Sequence, residues 1–174
     1  QAFKKLPQVL EIRIRHTEDE TLRRERMEEL ARIFEEHIKD RSSAFSWYIQ
    51  AFKAGPDLAH LREACERLAG SVDSGWEKLV DAYESVCETV QDASVQLPLL
   101  LVVASAWENQ LKNLDRALAT NLKILEIDDA SESALDALER IYHDKHLSYS
   151  VDCPVGARFQ GERWQRLAQR GQRL

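Results

Sequence analysis

Histidines, cysteines and carboxylates are the side chains here that hold metals or drive covalent chemistry, so their spacing comes first. His143 and His146 stand i, i+3 at the end of a helical stretch, with Asp144 between them and Cys153 beyond. A loop folding back would be needed to gather such ligands around zinc. No finger-type spacing accompanies them, and histidines near a helix C-terminus also complement its negative end. The expectation is no metal and no cofactor. His37, His60 and Cys65 have no spacing that builds a nucleophile–base pair. The chain carries no glycine-rich phosphate loop, no H-E-x-x-H and no G-x-S-x-G. A non-enzymatic protein is therefore expected.

One polar pattern does recur. Glu28 and Arg32, Glu63 and Arg67, and Asp136 and Arg140 each have the form acid-x-x-x-Arg. On a helix this spacing gives an i, i+4 ion pair worth about 0.2–0.5 kcal/mol on a solvated face. The functional reading is a row of arginines that reads acidic or carboxylate groups on a partner.

These side chains must be positioned by helices. The chain has 174 residues with 6 Gly and 4 Pro, and 44% of its residues are hydrophobic. Good helix formers dominate, which favours long helices with short connections. A net charge of −6 gives no general affinity for nucleic acid. The charge is uneven: nine acids face three bases between Asp57 and Asp92, and five arginines face one acid, Glu162, from Arg158 to the end. The apolar stretch from Leu97 to Ala104 is too short to span a bilayer and contains Pro98, so no membrane insertion is expected. Cys65 and Cys87 fall on apolar helix positions as reduced, buried thiols, which suits a cytoplasmic setting.

Self-comparison supplies the organising signal. A shift of 73 residues lays Glu28–Glu36 over Leu101–Asn109, Ala44 over Ala117, Phe52 over Leu125 and Glu66-Arg67-Leu68 over Glu139-Arg140-Ile141. In the other direction Trp76, Leu79 and Tyr83 fall on Phe3, Leu6 and Leu10. A fixed period marks a stacked repeat architecture. The apolar periodicity predicts helices near 3–16, 21–39, 43–54, 57–70, 75–91, 96–112, 114–127, 131–144 and 161–172. Gly55-Pro56 is a stop signal, Asp73 or Ser74 is expected to cap the helix of Trp76, and Ser131 to cap its own. Small Ala44 and Ala117 let helix axes approach, while Phe34, Trp76, Tyr83 and Trp107 fill the space between hairpins.

On these residues the chain resembles the tetratricopeptide (TPR) repeat family, and is similar to long bacterial TPR-repeat proteins. Ala44, Tyr48, Ala51 and Pro56 resemble a second-helix signature. Leu30, Ala31 and Phe34 resemble a first-helix signature, with one extra residue in the turn that follows. Trp76, Leu79 and Tyr83 resemble another second helix, with Leu79 in place of the usual alanine. The resemblance implies an all-α fold, an α-α superhelix of helical hairpins. Residues 1–20 would be the last helix of a preceding repeat, followed by hairpins at 21–56, 57–94, 95–130 and 131–174. The last hairpin holds a loop insertion near 145–159. With only the second helix of a hairpin at its start, the chain reads as a piece of a longer array.

The resemblance also implies that first-helix positions face a concave groove. The residues expected to meet a partner are Glu28, Arg32, Glu63, Arg67, Asn109, Asp136 and Arg140. The lysine and asparagine pattern of the family's carboxylate clamp is not reproduced; Asn109, Lys112 and Asn113 only approach it. The expected function is a protein–protein interaction scaffold that binds a peptide or helix of a partner. The alternatives are a structural or self-association module acting through the array ends, and a regulatory repeat domain of a larger protein.

Overall fold

The computed structural model describes residues 6–144, and side chains as far as Tyr142. The described residues are all-helical, with no strand. In chain order the helices are α1 (Leu6–Arg15), α2 (Glu20–Ile33), α3 (Arg41–Ala54), α4 (Ala59–Ala69), α5 (Gly75–Thr89), α6 (Ala93–Ser105), α7 (Leu114–Ile127) and α8 (Glu132–Asp144). Helices α2 and α6 each close with a π turn, at Phe34–Ile38 and Ala106–Gln110. The expected helix at 161–172, the insertion at 145–159 and the side chains of His143, His146 and Cys153 lie outside the described residues.

Side-chain caps set the starts of the helices. The carboxylates of Asp19, Asp40 and Asp92 accept the backbone N–H of Leu22, Ser43 and Ser94, and the Asn113 amide oxygen accepts that of Arg116. Each satisfies a donor that the helix start leaves unpaired. These caps pull α3 to Arg41 and α6 to Ala93, earlier than apolar periodicity alone places them. Ser74 takes the N-cap position of α5, but in the left-handed conformation (φ 53°) and without a side-chain capping bond. The expected serine cap there is corrected. Gly75 follows because the Ala69 carbonyl oxygen would lie 2.3 Å from any Cβ at this position. The Ser131 hydroxyl lies 3.3 Å from that of Ser133.

The element boundaries recur at the interval found in the sequence. The starts of α2 and α6 (Glu20, Ala93), of α3 and α7 (Arg41, Leu114), and of α4 and α8 (Ala59, Glu132) are each 73 residues apart. The caps Asp19 and Asp92, and Asp40 and Asn113, keep the same interval. So do the left-handed residues Lys39 (φ 64°) and Lys112 (φ 53°) that follow the π turns. In each turn a carbonyl is shared or staggered to end the helix. Lys39 and Asp40 both donate to the Phe34 carbonyl, and Asn113 donates to that of Trp107. A π turn houses one residue more than an α turn, which accounts for the extra residue between Phe34 and Ala44.

Packing runs between neighbours along the chain. Successive helices from α1 to α8 touch, and α3 also reaches α5. Short connections fold each helix back on the one before it. A core cluster extends from Ala31 through Phe45, Phe52, Leu61, Leu79 and Tyr83 to Val103, Trp107 and Ile141. Ala44, Ala51 and Ala117 are fully buried, as close axis approach requires. The Phe52 and Tyr83 rings meet at 4.8 Å between centroids, tying α3 to α5. Tyr83 and Trp107 are buried, whereas Phe34 and Trp76 are half-buried and pack against the same core. Among the described residues no helix is long and apolar enough to cross a membrane.

Candidate functional site

The recurrent acid–arginine pattern is resolved differently from its sequence spacing. Of the three expected i, i+4 pairs, Glu28 and Arg32 meet, at 3.6 Å. Arg67 pairs with Glu35 rather than Glu63, and Arg140 pairs with Glu108 rather than Asp136. The correction has a geometric cause: α4 lies beside the end of α2, and α8 beside the end of α6. A carboxylate on each π turn therefore reaches a guanidinium 32 residues later. Both contacts are two-pronged. Arg67 donates from Nη1 to Glu35 Oε1 (2.5 Å) and from Nη2 to Oε2 (3.0 Å). Arg140 donates from Nε to Glu108 Oε1 (2.7 Å) and from Nη2 to Oε2 (2.9 Å). The forked geometry matches a carboxylate in a way lysine cannot.

The two pairs are equivalents under the 73-residue shift, and they share an electrostatic consequence. Hydrogen bonding from Arg67 is the largest influence on Glu35, which it holds below the ordinary carboxyl value; Tyr48 adds to it. Arg140 does the same for Glu108. The glutamate side chains are largely covered, at 21% and 13% exposure, while the arginine side chains remain 57% and 54% exposed. Each arginine is thus held by its carboxylate while more than half of its side chain is exposed. Burial pushes the Tyr48 hydroxyl up to about 12. Asn121, buried and donating to the Ala117 carbonyl at 2.8 Å, occupies the position equivalent to Tyr48.

Around the first pair the same face carries more charge. Glu28 bridges Arg32 on its own helix and His60 on α4, whose Nε2 lies 3.2 Å from the carboxylate. A shallow depression of about 590 Å³ on α2 is lined by Glu28, Glu29, Arg32 and Glu36. The equivalent of Glu28 is Leu101, 37% exposed, and those of Arg32, Glu36 and His60 are Ser105, Asn109 and Ser133, so the second unit lacks these charges. Asn109 lies on the second π turn and donates to Ser105 at 3.2 Å. Trp107 anchors that turn: its indole N–H donates to Glu84 at 3.3 Å, and the Arg116 guanidinium lies 4.7 Å from the ring centroid.

Sequence spacing therefore located the arginines and the Glu28–Arg32 pair, and missed the partners of Arg67 and Arg140. The available signal was that Glu35 and Glu108 repeat at 73 residues, as Arg67 and Arg140 do. The thiols of Cys65 and Cys87, the cysteines among the described residues, are poor nucleophiles: burial pushes Cys65 up to about 12 and Cys87 up to about 11, so both stay protonated near neutral pH. Among the described residues no cluster of three or more histidine, cysteine or carboxylate side chains is placed to hold a metal ion. No family model matches the chain, and no similar curated protein or solved structure was found.

Proposed function

We propose that this chain is a non-enzymatic protein–protein interaction scaffold. In this reading it is an α-α superhelix of TPR-like hairpins that holds a peptide or helix of a partner protein along the face formed by α2, α4, α6 and α8. The observation that carries the proposal is the repetition of one arginine device. Arg67 and Arg140, 73 residues apart, are each fixed by a two-pronged carboxylate and each more than half exposed. A guanidinium immobilised before binding loses less side-chain entropy when a partner arrives. Equivalent groups along an array suit an extended partner, which meets successive units in turn. Neighbour-to-neighbour packing and a core cluster that reaches from α2 to α8 support the superhelix.

The pairing also refines the expected role of the arginines. Their charge is balanced within the chain, so the proposed contribution is directional hydrogen bonding rather than a strip of positive potential. The test is affinity capture with the chain and with a variant carrying Arg32→Lys, Arg67→Lys and Arg140→Lys. Charge is conserved and the fork is lost. The expected result is a partner retained by the unaltered chain and released by the variant; equal retention by both contradicts the arginine-based reading.

A further inference from the structure

The two forked pairs use different edges of their guanidiniums. Arg140 meets Glu108 with Nε and Nη2, along the side of the group. Arg67 meets Glu35 with Nη1 and Nη2, across its end. A guanidinium has five N–H donors in one plane, and Nε–H lies parallel to one N–H of Nη2. The end-on contact of Arg67 therefore leaves that side edge whole: among the described residues no acceptor meets its Nε–H. The side chain is 57% exposed. Two parallel donors match the two oxygens of a carboxylate.

We propose that the Nε–Nη2 edge of Arg67 seats a carboxylate of the partner, with Glu35 and Tyr48 holding the arginine in place. Tyr48, buried on α3, hydrogen-bonds to the Glu35 carboxylate from the side opposite the solvent. Two further guanidiniums flank this group. Arg41, at the start of α3, acts on the charge of Glu35, and Arg32 acts on the Tyr48 hydroxyl beside it. Arg32 meets Glu28 only at 3.6 Å. The opposing charge is Glu63, exposed and one turn before Arg67 on α4. In the second unit Ser105, Leu114 and Asn121 stand where the first has Arg32, Arg41 and Tyr48. The flanking guanidiniums thus belong to the first unit, and complementarity to an anion is greatest there. This inference rests on the scaffold reading and names the chemical group that the first unit takes.

The test follows the arginine Nε–Hε signals of the full chain by NMR during titration with sodium acetate, with sodium chloride holding the ionic strength constant. The Arg140 signal, bonded to Glu108 at 2.7 Å, is expected downfield from the start and unmoved. That of Arg67 is expected to begin where an unbonded group resonates and to move downfield to saturation. Arg41→Gln is expected to weaken acetate binding by about twofold, and Glu63→Gln to strengthen it by about twofold. Acetyl-Ala-Glu-Ala-amide and acetyl-Ala-Ala-Ala with a free C-terminus then separate an acidic side chain from a chain end; either one moving the Arg67 signal supports the seat. An Arg67 signal already downfield in the chain alone overturns the inference, because the chain itself then fills the edge. So does a shift no larger than that of Arg15, an exposed arginine of α1. None of these readings needs a captured partner. Partner release by the triple lysine variant without an acetate response therefore sinks this inference and leaves the scaffold reading standing, and the reverse combination does the opposite.

Discussion

Glu35 and Glu108 do two things at once: they fix an arginine, and they link α4 to the end of α2 and α8 to the end of α6, helices not adjacent in the chain. Because hydrogen bonding from Arg67 and Arg140 lowers their folded-state pKa values below the ordinary 4.5, their stabilisation has a defined pH sign. It is fully present above the unfolded value and is lost as pH falls through the folded one, where the unfolded chain binds more protons. Asp40 adds to the same trend, since the Ser43 hydroxyl and backbone N–H hold it below 3.8. Exposure of the arginines limits each pair to about 0.2–1 kcal/mol. Urea unfolding is expected to show falling stability from about pH 6 to about pH 3, with a shallower fall in the Glu35→Gln/Glu108→Gln variant. An unchanged slope in that variant would remove the pairs from the account.

The elements carry their own signature in the two π turns and the left-handed lysines that end them. A Cβ in the left-handed region costs about 1–2 kcal/mol relative to glycine, partly offset by glycine's greater freedom in the unfolded chain. Lys39→Gly and Lys112→Gly are each expected to raise stability by about 1 kcal/mol in thermal or denaturant unfolding. Gly75 is the opposite case. A methyl group there meets the Ala69 backbone, so Gly75→Ala is expected to destabilise by about 1–3 kcal/mol; a neutral result would mean that the α4–α5 turn shifts easily. The helices themselves were legible in the sequence, because apolar residues recur at the positions each helix turns toward its neighbours. Arg41–Ala54 and Leu114–Ile127 end within two residues of expectation for that reason. The π turns left only a surplus residue between Phe34 and Ala44, and the aspartate caps lie outside the apolar pattern, although Asp19 and Asp92 repeat at 73 residues. The partners of Arg67 and Arg140 were hidden because Glu63 and Asp136 repeat at the same interval as Glu35 and Glu108. Local spacing favoured the former; the lateral placement of α4 and α8, a tertiary property, selects the latter.

At the scale of the whole chain, the described helices form a structure that repeats itself from Asp19 to Asp92 and onward to α8. The repetition extends beyond hydrophobic pattern to caps, left-handed residues and a two-pronged ion pair. Stability in such an arrangement is carried by contacts between neighbours, leaving side chains on the outer faces available for recognition. The proposed scaffold function uses the face formed by α2, α4, α6 and α8. The central claim, that a partner lies along the first-helix face, is tested most directly by site-specific photo-crosslinking. A photoreactive residue is placed at Ser105 on α6, at Ser133 on α8 or at Ser46 on α3, all exposed. The account predicts crosslinks to the captured partner from Ser105 and Ser133 and none from Ser46; crosslinking from Ser46 alone would contradict it.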